Sequence, residues 1–168
     1  MSFKEHFRRA LSADPERIHF AAHSHHLWPD VSFDAHVEAW NDAARLADNK
    51  WDRVFGEVIP RATAHIAKRL GLSGTYAKGE SICFAPNTHE LLMRVLSCLP
   101  HDRNPKILTT DGEFHSFARQ ITRLEEDGTQ VTRVPCEPHA TFVERFAEAA
   151  KGDFDLVYLS HVFFNSGY

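Results

Sequence analysis

Three polar segments in the second half of the chain hold residue types that bind anions and flat rings. Pro86-Asn87-Thr88-His89 follows one apolar run, Asp111-Gly112-Glu113-Phe114-His115 follows a second, and Ser160-His161-Val162-Phe163-Phe164-Asn165-Ser166-Gly167 follows a third. Asn87 is a good N-cap, and the first N–H groups of a helix starting there are unpaired and carry partial positive charge. With the Thr88 hydroxyl added, that turn can hold a phosphate. The plainer alternative is a helix cap and nothing more. Phe114, at the mouth of its turn, either offers a flat face for ring stacking or packs into the core beneath the next helix. The third segment sets an apolar pair, Phe163-Phe164, inside what otherwise reads as a loop with a glycine turn. A fourth polar segment, His23-Ser24-His25-His26, has His-x-His spacing. With no carboxylate or Cys nearby it reads as a pocket lining or a solvated loop rather than a metal site.

The elements that must position these segments follow from periodicity. Phe3, Phe7 and Leu11 recur at four-residue spacing behind a Ser2-x-x-Glu5 capping box, which predicts a short helix over 3–11, ended by Asp14-Pro15. A helix is predicted from 31 to about 48, with Val37, Trp40, Ala44 and Ala47 on one face. A second runs from about 51 to 70, interrupted at Pro60, with Ala62, Ile66, Ala67 and Leu70 buried. From residue 81 the pattern changes to strand 82–85, helix 88–99, strand 106–110, helix 114–127 closed by Gly128, strand 130–134, helix 140–150 and strand 155–160. Four strands alternating with three helices predict βαβ crossovers, hence an α/β fold with a mainly parallel sheet and flanking helices. A helical N-terminal arm, residues 1–72, precedes it, and residues 73–168 form the α/β region. In such sheets ligands sit outside the carboxyl ends of the strands, so the polar turns should open on one edge.

Composition narrows the function classes. The chain has 168 residues, 43% apolar and 25% charged, with a net charge of −4. That charge offers no electrostatic reason to expect nucleic acid or an anionic membrane as partner. No apolar run approaches the ~20 residues of a membrane span, and the N-terminus lacks the apolar core of a secretion signal. Cys83, Cys98 and Cys136 are odd in number and without CxxC spacing, which fits a reducing, cytoplasmic setting better than a disulfide framework or zinc site. There is no GxGxxG after a strand and no GxxxxGK[ST], HExxH or GxSxG, so the common nucleotide, zinc-protease and hydrolase signatures are missing.

Taken in order, the segments AAHSHHLWP, PNTHELL, DGEFHS and LSHVFFNSGY resemble the pyridoxal 5'-phosphate (PLP) enzymes of fold type I, in the class V aminotransferase superfamily. That group includes cysteine desulfurases and kynureninases. The resemblance covers nearly the whole chain through short motifs. It implies that Asn87 and Thr88 bind the cofactor phosphate and that Phe114 stacks on its ring. Desulfurases usually have His at that place and kynureninases Phe. Phe164 falls where desulfurases carry an Asn facing the cofactor's phenolic oxygen and kynureninases an aromatic, so both positions lean toward kynureninase. Asn165 is one step off the desulfurase pattern. His23 and Ser24 match the loop that approaches the substrate, although the usual kynureninase segment there, Asp-Gly-Asn-Ser-Leu-Gly, is absent.

The family's Asp that pairs with the ring nitrogen, and its Schiff-base Lys, both lie further along than Tyr168. The six lysines here, at 4, 50, 68, 78, 106 and 151, are not in that motif. The chain therefore reads as the N-terminal portion of a longer PLP enzyme, kynureninase-like or class V aminotransferase-like. Its α/β region would be the first part of the large domain, incomplete at the C-terminus and carrying no catalytic residue of its own. The resemblance implies an amino-acid substrate and a homodimer. The alternatives are a cysteine desulfurase or lyase, and a non-catalytic α/β module that binds a phosphorylated ligand.

Overall fold

The computed structural model describes residues 2–20, 25–72 and 81–168. The chain divides into two compact units, residues 1–83 and 84–168.

The first unit is helical. A 3₁₀ turn, Lys4–Phe7, leads into α1, Arg8–Ala13. The expected capping box does not form: Ser2 Oγ accepts from Lys4 N at 3.4 Å, and neither turn has a side-chain cap. The N–H groups of Arg8 and Arg9 are instead satisfied by the carboxylate of Asp30, each at 3.0 Å. Helix α2, Asp30–Leu46, ends where Ala47 takes φ +47°, which a right-handed helix cannot continue through. Then come α3, Lys50–Arg53, a π turn, Val54–Val58, and α4, Ile59–Arg69. The π turn is the local response to Pro60, which has no N–H to donate to the preceding turn. Ile59 N reaches back five residues to Val54 O, and Pro60 falls in the first turn of α4. Arg53 joins α2 to this segment through Glu38, Asp42 and Glu57. The apolar face forecast for α4 is buried only in part. The whole of α2 lacks a buried residue, and in α4 only Thr63 and Ala67 are buried while Leu70 is exposed.

The second unit is α/β, as its alternation predicts. Helix α5, Thr88–Leu96, precedes β1, Lys106–Thr110; α6, His115–Glu126, leads to β2, Gln130–Val134; α7, Phe142–Ala149, leads to β3, Leu156–Val157. The sheet is parallel with order β2-β1-β3, in register Lys106↔Gln130 and Ile107↔Leu156. Successive side chains of β1 alternate between its faces. Ile107 packs with Phe117 and Ile121 of α6 and with Leu92 and Leu96 of α5. Leu108 packs with Phe142 and Phe146 of α7 and with Phe163. The path from β1 to β2 runs one way across the sheet and the path from β2 to β3 runs back, so crossovers of one hand place α6 and α7 on opposite faces. Covered on both sides, β1 is buried from Ile107 to Thr110, as a central parallel strand must be.

Two strand expectations are corrected. Residues 82–85 do not join the sheet, and Cys83 and Phe84 are exposed. A short apolar run has strand composition, but the strand exists only where a neighbour takes its ladder. The strand expected over 155–160 is paired only at Leu156–Val157. Tyr158 N still donates to Leu108 O at 2.9 Å, but Ser160 N then donates to a side chain, Glu113, at 3.2 Å, and the ladder stops.

Candidate functional site

The carboxyl edge of the sheet is held together by one turn. After β1, Asp111 reaches toward β2 and its Oδ1 accepts from Cys136 N at 2.7 Å. Glu113 reaches the other way, accepting from Thr110 Oγ1 at 2.8 Å and from the backbone and hydroxyl of Ser160, just past β3. Between them, Gly112 permits the approach of β2's exit: a Cβ there would stand 2.5 Å from Cys136 Sγ. Asp111-Gly112-Glu113 is thus a two-armed brace across three strand ends.

On the α5–α6 face of that edge lies a cleft of about 410 Å³, lined by Asn87, Thr88 and His89, by Phe114 and Ser116, by Tyr158 and Ser160, and floored by Leu92 and Phe117. Asn87 is the N-cap of α5, its Oδ1 accepting from Glu90 N at 3.0 Å. Its amide oxygen is therefore committed to the cap, which leaves the other first-turn N–H groups, the Asn87 amide nitrogen and the Thr88 hydroxyl as donors. Phe114 is not part of α6, as the helix expected over 114–127 would have it, but its N-cap. It is 40% exposed on the cleft and meets Phe164, 55% exposed, edge-to-face at 5.3 Å. The core role falls to Phe117, one turn on, which is buried and stacked on Tyr158 at 3.6 Å. Burial pushes the Tyr158 phenol up from its ordinary range.

Four expected site residues are thus present at this edge: Asn87, Thr88 and Phe114 line the cleft, and Phe164 abuts Phe114. His23 and Ser24 lie outside the described residues. Sequence reasoning missed Tyr158 and named Ser160 only as the start of its polar segment, with no role of its own. The signal was there, because alternation along 155–160 puts 156, 158 and 160 on one face, and Leu156 and Tyr158 do pack on the α5–α6 side. It also missed Glu113, whose role depends on a residue 47 positions away.

The donor set suits an anion beside a flat ring: helix N–H groups and a hydroxyl from α5, with the Phe114 face alongside. Those residues fit a phosphate ester of an aromatic ring. No lysine among the described residues lines the cleft. Lys106 is at the opposite edge, 3.1 Å from Asp153, Lys151 pairs with Glu148, and Lys4, Lys50 and Lys68 are in the first unit; Lys78 is outside the described residues.

A second cleft, about 330 Å³, opens between the exits of β1 and β2, with Asp111, Cys136, Glu137, His139 and Asn165 in its wall. Burial pushes the Cys136 thiol up, which disfavours the reactive thiolate. Its carboxylates, Asp111 and Glu137, make it a poorer fit for an anion. Among the described residues no group of three or more His, Cys, Asp or Glu is placed to hold a metal ion, and no helix is long and apolar enough to cross a membrane. None of the family models, curated proteins or solved structures compared with the chain matches it.

Proposed function

We propose that the cleft at the carboxyl edge binds pyridoxal 5'-phosphate, and that the chain is the cofactor-binding part of a homodimeric PLP enzyme acting on an amino acid, kynureninase-like or class V aminotransferase-like. The observation that supports this is the meeting, in one cleft, of the α5 N-terminus with the exposed face of Phe114. The bound group would supply an electron sink for chemistry at an amino acid's α-carbon. The chain's own part is binding and orientation. Thr88 and the first-turn N–H groups of α5 hold the phosphate; Phe114, steadied by Phe164, covers the ring; Leu92 and Phe117 exclude water beneath it. Phe rather than His at 114 favours this over a cysteine desulfurase. A second reading, a non-catalytic module that binds a phosphorylated ligand, is supported by the absence of lysine from the cleft lining among the described residues.

The test is a titration of the chain with pyridoxal 5'-phosphate, followed by absorbance. Thr88→Val removes one hydrogen bond to a charged group, about 1.5–3 kcal/mol, and should weaken binding roughly ten- to a hundredfold. Phe114→Ala removes stacking of about 0.5–1.5 kcal/mol and should weaken it roughly two- to tenfold, with a shift in the absorbance of the bound ring. Unchanged affinity in Thr88→Val would defeat the phosphate assignment, and no saturable uptake by the unaltered chain would defeat the cofactor.

A further inference from the structure

Glu113 is only 7% exposed. Its Oε1 accepts from the Thr110 hydroxyl and from the Ser160 backbone N–H, and its Oε2 accepts from the Ser160 hydroxyl. The Thr110 hydroxyl in turn accepts from Gly112 N at 3.3 Å, which leaves its proton for Glu113. An ionised carboxylate only accepts, and a serine hydroxyl has one proton and two lone pairs. The Ser160 proton is therefore committed to Glu113. Since Ser160 also lines the cleft, it presents only lone pairs there.

We propose that Glu113 sets the hydrogen-bonding sense of the cleft: acting through Ser160, it makes this wall an acceptor, so the ligand carries an N–H or O–H donor where it meets Ser160. Combined with the donors at α5, the cleft selects a phosphate ester that also bears such a donor. This rests on the reading that the cleft takes pyridoxal 5'-phosphate, whose protonated ring nitrogen is a donor of that kind. Glu113 touches no ligand itself and is a positioning residue.

Glu113→Gln tests the idea because it changes polarity at nearly constant size. The Ser160 backbone N–H can only donate, so the amide oxygen must take the Oε1 place, and the amide nitrogen then donates to the Ser160 hydroxyl. The Ser160 proton is freed and the wall becomes a donor. In titrations with pyridoxal 5'-phosphate, Ser160→Ala should weaken binding about fivefold. Glu113→Gln should weaken it at least as much, and adding it to Ser160→Ala should cause no further loss. Additive losses, or a Glu113→Gln chain that is folded by circular dichroism and binds as the unaltered chain does, overturn the proposal. A ligand-free measurement separates this from the cofactor reading. Proton NMR of the unaltered chain should show a slowly exchanging Ser160 hydroxyl proton close to Glu113. If the chain takes up no pyridoxal 5'-phosphate, the cofactor reading fails and this resonance decides the proposal, its presence supporting the acceptor wall and its absence overturning it.

Discussion

Helices α2 and α6 carry the same pattern and meet different fates. In α2, Phe33, Val37 and Trp40 recur at i, i+4 and i+7; in α6, Phe117, Ile121 and Leu124 do the same. The α2 residues are all exposed, Trp40 at 78%, whereas Phe117 and Ile121 are buried against β1 and Leu124 packs at their margin. The difference teaches that periodicity selects a helix and its apolar face but does not supply what covers that face. In residues 84–168 the sheet supplies it, because a parallel strand buried on both sides offers two apolar surfaces to the helices of its own crossovers. Within residues 1–83 the ties are largely polar: Asp30 on the amides of α1, and Arg53 among three carboxylates.

Mutations can break or sharpen that contrast. The largest effect should come from Ile107→Ala, which empties a fully buried position between α5, α6 and β1. It should cost about 2–5 kcal/mol in urea unfolding followed by circular dichroism. A loss below about 1 kcal/mol would mean that the sheet is not the organising core of residues 84–168. Gly112→Ala comes next, at about 1–3 kcal/mol, because the new Cβ overlaps Cys136 Sγ. Cys136→Ala in the same chain should recover part of that loss by removing the sulfur; no recovery would place the strain elsewhere in the brace. The smallest effect should be Trp40→Ser. At an exposed position it should move stability by no more than about 0.5 kcal/mol, and a larger loss would show that the α2 face is covered in solution.

Much of this architecture was legible in the residues. Strands 106–110 and 130–134 lie where their alternation with helices places them, Gly128 closes α6 with φ +100°, and Pro60 restarts the helix in the arm. These are local matters: ladder-competent runs, a left-handed terminator and a missing N–H act over one or two turns of chain. The parallel order followed too, since alternation of strand and helix leaves few other connections.

The tertiary structure alone decided the rest. Whether 82–85 and 158–160 stayed in the ladder depended on neighbours distant in sequence, and in the second case on a carboxylate that takes Ser160 N away from the sheet. Of the two phenylalanines in 114–117, the one at the cap faces the cleft and the one a turn later fills the core. Of Phe163 and Phe164, the first is buried beside Phe142 and the second lies on Phe114. Composition cannot separate such pairs, because both members are apolar and aromatic, and only the direction of the backbone at the strand exit sends one inward. Glu113 shows the same limit for polar groups. A lone Glu in a turn reads as solvated, and its burial becomes tolerable only when the fold brings Thr110 and Ser160 close enough to satisfy its oxygens.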